Sequence, residues 1–224
     1  MSVVTISREF GSMGSLVAEK AAHALGYRLA DKATIGNILK DYGLWNLDEE
    51  YGSVPGFWDR FDLARMKQRE TLLAMLNQCL QAVAQQGEVV IVGRGGFAVL
   101  GGLADVLNVR IQAPQAVRAR RLVDFPAVGD PGLAERVVAE NDHLQKSFIK
   151  TVYGRDWDTA NLFDLVIDTG KIDPDLAADL VARAAKAVRM TGWSGEARSS
   201  DLKVDRILAE AVEEELHRQM APVG

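Results

Sequence analysis

A turn of small residues near the start of the chain has the composition of a phosphate-binding loop. Gly11, Ser12, Met13, Gly14 and Ser15 separate a short apolar run from a helical pattern. A strand, a glycine-rich turn and a helix in this order converge backbone N–H groups at the helix N-terminus, where the helix dipole favours an anion. These five residues are the predicted phosphate cradle, and a tight turn before a helix is the structural alternative.

The turn differs from the standard phosphate-loop pattern G-x-x-x-x-G-K-[ST]. In the register that keeps the usual glycine-serine pair in place, Arg8 stands at the first glycine and Gly14 at the lysine. Met13 stands at the second glycine, where a Cβ restricts positive φ. Ser15 stands at the hydroxyl position, so it is a candidate Mg²⁺ ligand and equally an ordinary serine of a first helical turn.

Four further charged residues follow predicted strands or share a helix face. Asp31 ends the second apolar run, where ligands bind in open parallel sheets, and its alternative role is a helix N-cap. Arg94 lies between glycines after the most apolar run and is predicted to bind an acceptor phosphate. Arg118 and Arg121 are three residues apart on a predicted helix, so they can converge on one anion or form a plain solvated face.

The elements that must position these residues alternate between strand and helix. The predicted strands cover residues 3–6, 27–30, 89–92, 106–111 and 165–167. The predicted helices cover residues 16–25, 32–42, 59–86, 115–123, 133–151 and 173–190. This alternation predicts an α/β fold with a parallel sheet, helices on both faces and right-handed crossovers. Residues 43–58 are interpreted as irregular or only partly helical.

The C-terminal part of the chain reads as an appendage to a domain spanning residues 1–190. Residues 191–200 form a polar linker of small residues, and residues 201–219 form a predicted helix. One face of that helix is apolar, formed by Val204, Ile207, Leu208, Ala211, Val212 and Leu216. Such a face docks either on its own domain or on a second subunit, which would make the protein a homodimer through this helix.

Composition bounds the class of protein. The 224 residues carry 26 basic and 31 acidic side chains, a net charge of −5 that argues against nucleic acid as a partner. The single cysteine, Cys79, excludes an intramolecular disulfide and fits a reducing compartment. Neither a membrane span of about 20 apolar residues nor a secretory signal is apparent, so a cytoplasmic protein without membrane contact is expected.

Several short motifs together resemble one family of kinases. The opening segment Ser7-Arg8-Glu9-Phe10-Gly11-Ser12 is similar to the S-R-E-F-G-S-G-G start of the cytidylate kinase-like branch of P-loop kinases. Segments at residues 27–32, 92–96, 113–121, 153–157 and 163–170 agree with the same family in order and spacing. The resemblance covers about residues 2–190.

The resemblance implies a nucleoside monophosphate kinase fold with a helical lid and an acceptor-binding insertion. It implies ATP on the phosphate turn, Mg²⁺, and transfer of the γ-phosphoryl group to a small anionic acceptor, CMP or dCMP by default. Arg8 would supply the charge of the missing lysine, with a surface ion pair to Glu9 or another acid as its alternative. Arg118 and Arg121 would clamp the transferred group.

One further segment of the family carries an aspartate with an arginine three residues later. Asp142 fits the aspartate and is the fourth predicted catalytic residue, whereas Gln145 occupies the arginine position. Glutamine cannot neutralise developing negative charge. Two other functions therefore stay open: a nucleotide-binding regulatory module with little catalysis, and a kinase of a different small acceptor.

Overall fold

A computed structural model describes residues 2–41, 63–124, 129–191 and 196–218. Within these ranges the strands are β1 Val3–Arg8, β2 Arg28–Ala30, β3 Val89–Val92, β4 Val106–Gln112 and β5 Leu165–Asp168. The helices are α1 Gly14–Leu25, α2 Lys32–Asp41, α3 Leu63–Gln85, α4 Gly96–Leu100, α5 Gln115–Val123, α6 Pro131–Tyr153, α7 Pro174–Thr191 and α8 Arg206–Arg218. The predicted alternation of strand and helix is confirmed; the irregular stretch predicted at residues 43–58 lies outside the described residues.

The five strands form one parallel sheet in the order β2-β3-β1-β4-β5. Because β1 lies between β3 and β4, the residues that follow it have the ends of both neighbours beside them. All five strands point their carboxyl ends to the same edge. The predicted site residues Arg8, Asp31 and Arg94 all lie at the end of a strand or directly after one, so the topology brings them to this edge.

Successive residues of the central strands are buried on opposite faces of the sheet, as the twofold period of a strand requires. On one face, Val4 and Val90 pack with α1 and α7. On the other face, Val3 and Val89 pack with α2, α3 and α8. All of Val89–Val92 is buried, which explains why β3 is a continuous run of β-branched residues rather than an alternating one.

The C-terminal helix docks on its own domain. Leu208, Val212 and Leu216 are buried in the same core cluster as residues of α2 and α3. The predicted helix 201–219 is observed as Arg206–Arg218 because Asp205 caps it: its Oδ1 accepts hydrogen bonds from the backbone N–H groups of Ile207 (3.0 Å) and Leu208 (3.1 Å).

The segment before α8 is fixed to the edge of the sheet opposite the candidate site. Ser199 donates from its backbone N–H (2.8 Å) and its hydroxyl (2.6 Å) to the carboxylate of Asp105, directly before β4. The backbone N–H of Ala104 donates to the carbonyl of Ala197 at 2.9 Å.

Among the helices of the described ranges, none is long and apolar enough to cross a bilayer.

Candidate active site

Two arginines and one aspartate predicted as site residues approach one another at the carboxyl edge. Burial and the nearby positive charge of Arg94 lower the pKa of Arg8, while the carboxylate of Asp31 acts in the opposite direction. The guanidinium of Arg8 lies against the turn after β3, since a Cβ on Gly93 would overlap its Nη1. Bringing two like charges together costs free energy, and a bound anion would offset that cost.

Arg94 is held in a left-handed turn. It has φ 53°, and the flanking Gly93 and Gly95 have φ 72° and 75°. A residue with a Cβ in this region of backbone space costs about 1–2 kcal/mol, and such strain persists where the surroundings fix it. Gly95 is packed so tightly that a Cβ would overlap the ring of Tyr153. The turn therefore presents Arg94 at the edge of the sheet in one fixed backbone conformation.

Asp31 has a defined structural role. Its Oδ1 accepts hydrogen bonds from the backbone N–H groups of Ala33 and Thr34, both at 2.9 Å, and from the Thr34 hydroxyl at 3.1 Å. These are the bonds of an N-cap on α2. Asp31 therefore fixes the start of α2 and at the same time lies close enough to Arg8 to act on its charge.

The predicted phosphate cradle forms the turn between β1 and α1. Gly11 has φ 80° and Met13 has φ 62°, so Met13 adopts the left-handed conformation that its Cβ disfavours. Met13 is the N-cap residue of α1 and its side chain is exposed. Met13 thus adopts a backbone conformation typical of glycine although it carries a side chain. Ser15 is exposed in the first turn of α1.

Residue 14, where the standard phosphate-loop pattern has its lysine, has no room for a side chain. A Cβ on Gly14 would overlap the Cβ of Arg8 and would lie 3.2 Å from the Cβ of Ile111. Helix α1 therefore approaches β1 so closely that only glycine fits at residue 14. The side chain of Arg8 lies over this glycine. The positive charge beside the turn therefore comes from the last residue of β1.

Ser12 gives a test of whether the turn suits a phosphate. It is fully buried, and its hydroxyl has no hydrogen-bond partner among the described residues. A buried hydroxyl without a partner costs about 1–3 kcal/mol, which an acceptor oxygen in the turn would recover. Together with the N-terminus of α1, this donor fits the oxygens of a nucleotide phosphate.

Arg118 and Asp142, two of the predicted catalytic residues, bind each other. Arg118 is buried and donates to both carboxylate oxygens of Asp142, at 2.9 and 2.7 Å. Its Nε donates to the carbonyl of Ala113 at 2.8 Å and lies 3.3 Å from Oε2 of Glu9, and its Nη1 donates to the carbonyl of Phe10 at 3.1 Å. In this structure the guanidinium links α5 to α6 and to the start of the phosphate turn.

Arg121 also contacts the phosphate turn from behind. It donates to the carbonyl of Gly11 at 3.2 Å and to the carbonyl of Thr169 at 2.7 Å. The Thr169 hydroxyl in turn donates to the carbonyl of Ser12 at 2.6 Å. Arg118 and Arg121 therefore do lie on one side of α5, as their spacing predicts, but the groups on which they converge belong to the protein.

The sequence reasoning missed a buried network around Glu9 and Arg110. Arg110 lies 3.1 Å from both Glu9 Oε1 and Asp158 Oδ1, with its guanidinium 4.5 Å above the ring of Trp157. Glu9 also accepts from the backbone N–H of Ala113 at 3.0 Å. The carboxylate of Glu9 is thus engaged by Arg110, Arg118 and the Ala113 backbone, and the acid that acts on the charge of Arg8 is Asp31. An arginine inside the apolar pattern of β4 was the available signal.

Asp158 extends this network to the surface. Its Oδ2 lies 2.7 Å from Nζ of Lys146 on α6. Burial raises the pKa of Asp158, but hydrogen bonds from Lys146 and Arg110 outweigh that effect and lower it below its ordinary value. Lys146, the residue next to Gln145, is thus engaged by an acid in this structure.

Aromatic residues of the segments at residues 153–157 and 163–170 pack in the core. Trp157 and Phe163 are buried with Phe97, and Nε1 of Trp157 donates to the hydroxyl of Ser7 at 2.7 Å. Tyr153 packs against the same cluster and donates to Oδ1 of Asn77 at 3.1 Å. These three aromatic side chains therefore contribute to core packing.

A parallel sheet of this strand order, with a phosphate turn between the first strand and the first helix, defines the class of P-loop kinase-type proteins. The sequence matches the model of the cytidylate kinase-like family over residues 3–171. The chain belongs to that family.

Relatives and solved structures agree with this assignment. A cytidylate kinase of Ignicoccus hospitalis is 28% identical over 184 residues, covering 82% of this chain and 98% of the relative. A cytidylate kinase of Pyrobaculum calidifontis is 28% identical over 171 residues, covering 75% and 84%. The crystal structure of an uncharacterized protein from Eubacterium ventriosum aligns with a TM-score of 0.65 at 21% identity, covering 84% of this chain and 99% of that one. The structural match supports the fold.

Proposed function

We propose that this chain is a nucleoside monophosphate kinase that moves the γ-phosphoryl group of Mg·ATP to CMP or dCMP. The observation that carries the proposal is the packing of the Arg8 guanidinium against Gly93, in the strained turn that presents Arg94 at the sheet edge, next to a phosphate turn. Two cations at one edge are suited to neutralise the charge of the donor and acceptor phosphates in the transition state. The cytidylate kinase names of the relatives supply the choice of base.

The donor nucleotide binds, in this proposal, at the turn between β1 and α1. The backbone N–H groups at the start of α1 and the hydroxyl of Ser12 bind its phosphates. Arg8 supplies the positive charge that a lysine supplies in a standard loop, because residue 14 has no room for a side chain. Mg²⁺, when bound with ATP, would neutralise charge on the phosphates, and Ser15 is its candidate protein ligand.

Arg94 and Asp31 form the acceptor side of the proposed site. The strained turn that presents Arg94 fixes the direction from which an acceptor phosphate is held. Arg118, Arg121 and Asp142 support the reaction by holding the phosphate turn, because their polar groups bind its carbonyls and one another. Their direct participation as a phosphoryl clamp stays a prediction.

An acceptor screen tests the proposal. Purified protein is incubated with Mg·ATP and each nucleoside monophosphate in turn, and ADP formation is followed by a coupled assay. We expect CMP and dCMP to give the highest kcat/KM, and Arg94→Met to lower it by about 10²-fold or more. Arg183→Met is the matched control, because Arg183 is an exposed arginine of α7. A folded protein that turns over none of these acceptors would contradict the proposal.

A nucleotide-binding regulatory module is the second candidate function. It is favoured by Met13 in a left-handed conformation and by Gln145 at the position where the family commonly has an arginine. Calorimetric titration with ADP and CMP separates the candidates: binding without turnover supports the module. Absence of binding by either nucleotide argues against both functions. Turnover with a different small acceptor would retain the kinase and change its substrate.

We propose a homodimer through α8 only by contacts of the outer side of that helix. The inner side is buried against α2 and α3, whereas Ile207 is 62% exposed. If α8 joins two subunits, Ile207→Asp halves the mass measured in solution by light scattering. An unchanged mass, whether of a monomer or of a dimer, would contradict a subunit contact through Ile207.

A further inference from the structure

Helix α8 lies outside the part of the chain that the family model matches, which ends at residue 171. It nevertheless packs against α2, the helix that begins at the candidate site. Leu208, Val212 and Leu216 of α8 share one core cluster with Ile35 and Ile38 of α2. The extension is therefore built into the half of the domain that carries Asp31.

A buried carboxylate sets the register of α8 on α2. Glu215 is only 4% exposed, and its Oε1 accepts a hydrogen bond from Nδ2 of Asn37 at 2.9 Å. Its Oε2 lies 3.2 Å from Nη1 of Arg218. Burying a carboxylate is costly unless each oxygen has a partner, so a shift of α8 along α2 would leave this group uncompensated. The contact therefore favours one register.

Helix α2 is positioned by the elements that it packs on, which are α8, α3 and β2. Helix α2 has ten residues, a length at which an isolated helix is marginal in water, so its position is set by what it packs on. Its inner residues Ile35, Ile38 and Leu39 are almost fully buried. Its first turn is closed by Asp31, which also acts on the charge of Arg8.

We propose that α8 is a brace that holds α2, and with it Asp31, in place opposite Arg8, and that Glu215 is its positioning residue. The consequence is selective: weakening the brace lowers the affinity for a phosphorylated acceptor and leaves binding at the phosphate turn unchanged. The turn is held by α5 and Thr169, whereas the main described contacts of α8 are with α2, α3 and β2. This inference rests on the proposed function for its ligand and on the packing of α8 for its mechanism.

The test uses the full chain with two independent readouts. Glu215→Ala removes the buried acceptor, Glu215→Gln keeps an oxygen for Asn37, and Glu213→Ala is the exposed control on the same helix. Val212→Ala weakens the same contact by a different route. Amide hydrogen exchange at Ala33 and Thr34 reports whether Asp31 still caps α2, and calorimetry measures the Kd of CMP and of ADP.

For Glu215→Ala and Val212→Ala we expect exchange at both amides to be at least about threefold faster and the Kd of CMP to rise about fivefold. The Kd of ADP stays within about twofold, and Glu215→Gln and Glu213→Ala behave as wild type. Unchanged amide exchange would overturn the brace. So would faster exchange with an unchanged CMP affinity, or an equal loss of CMP and ADP binding.

Failure of the proposed function has a different signature. If the wild-type protein binds ADP but not CMP, the proposed acceptor is wrong. Faster exchange at Ala33 and Thr34 in Glu215→Ala but not in Glu213→Ala would still support the brace in that case. Equal exchange in the two variants would overturn it.

Discussion

At the scale of single residues, Arg8 and Gly14 have to be considered together. The side chain of Arg8 crosses the place that a side chain at residue 14 would occupy. A loop of this kind can carry its cation either on the helix, as a lysine, or on the strand, as Arg8, but the space admits only one of them. The absence of a lysine from the turn is therefore a packing consequence and does not by itself indicate a lost site.

A pair of glycine substitutions tests this packing. Gly14→Ala places a Cβ against the Cβ of Arg8, so we expect the free energy of unfolding to fall by about 2–3 kcal/mol. Gly36→Ala is the control, since a Cβ at Gly36 in α2 would have no described atom within 4 Å. That substitution is expected to raise the free energy of unfolding by about 0.5–1 kcal/mol. Urea denaturation measures both, and a neutral Gly14→Ala would contradict the account.

Cys79 predicts a specific dependence of stability on pH. Burial raises the pKa of its thiol from 9.0 to about 12. Above pH 9 the unfolded chain therefore loses this proton while the folded chain keeps it, so the free energy of unfolding falls as pH rises. The contribution at pH 10 is a loss of about 1.4 kcal/mol.

Denaturation of wild type and Cys79→Ala at pH 7 to 10.5 isolates this contribution. The cavity left by the substitution lowers stability at every pH, whereas titration of the thiol affects only how the free energy of unfolding changes with pH. We expect the difference in stability between the two proteins to shrink by about 1.4 kcal/mol between pH 8 and pH 10. Parallel curves would mean that the thiol titrates normally.

At the scale of elements, helices α5 and α6 are joined to the phosphate turn by one arginine. Arg118 is bound by Asp142 on α6, by Glu9 directly after β1 and by the carbonyl of Phe10. A buried guanidinium with two carboxylate neighbours therefore connects α6 to the turn. We propose from this geometry that Asp142 is a positioning residue.

The substitution Asp142→Asn tests whether Asp142 holds Arg118 in place or takes part in the reaction itself. Removing the carboxylate charge beside a buried guanidinium is expected to lower the free energy of unfolding by about 2–3 kcal/mol. Glu140→Gln, at an exposed residue of the same helix, is expected to change it by less than about 0.5 kcal/mol. Thermal or urea unfolding measures the change. If stability is unaffected and only kcat falls, Asp142 acts in the reaction itself.

At the scale of the whole molecule, the C-terminal extension is part of the folded domain. The segment at residues 197–202 is bound to residues near the start of β4, and α8 covers α2 and α3. The extension thus runs from the edge of the sheet opposite the candidate site to the helices beside that site. Residues 196–224 carry seven acidic and four basic residues, which leaves residues 1–195 at a net charge of −2. A nearly neutral domain that concentrates arginines at one edge is compatible with a small anionic ligand.

Two aspartate substitutions in α8 test whether the extension belongs to the core. Val212 is fully buried, so Val212→Asp is expected to lower the free energy of unfolding by about 4 kcal/mol or to prevent folding at 37 °C. Ile207→Asp, on the outer side, should remain within about 0.5 kcal/mol. Circular dichroism during urea unfolding measures both. Equal stabilities would mean that α8 contributes nothing to the core.

The strands, most of the helices, the turn between β1 and α1 and the family follow from the sequence by itself. These features depend on local periodicity, on glycine placement and on short motifs, all of which are written in consecutive residues. The run at residues 89–92 predicted a strand of a sheet with helices on both faces, and the motif order from Ser7 to Gly170 predicted the family. Both predictions are confirmed.

Which partner each charged group binds was decided by the tertiary structure alone. Arg118 and Asp142 are 24 residues apart, and Glu9 and Arg110 are 101 apart. Their pairing depends on β1 lying beside β4 and on α5 packing against α6. The docking of α8 likewise depends on a free apolar face across α2 and α3. No local pattern encodes these distances, because they arise only when the sheet order and the helix packing are set together.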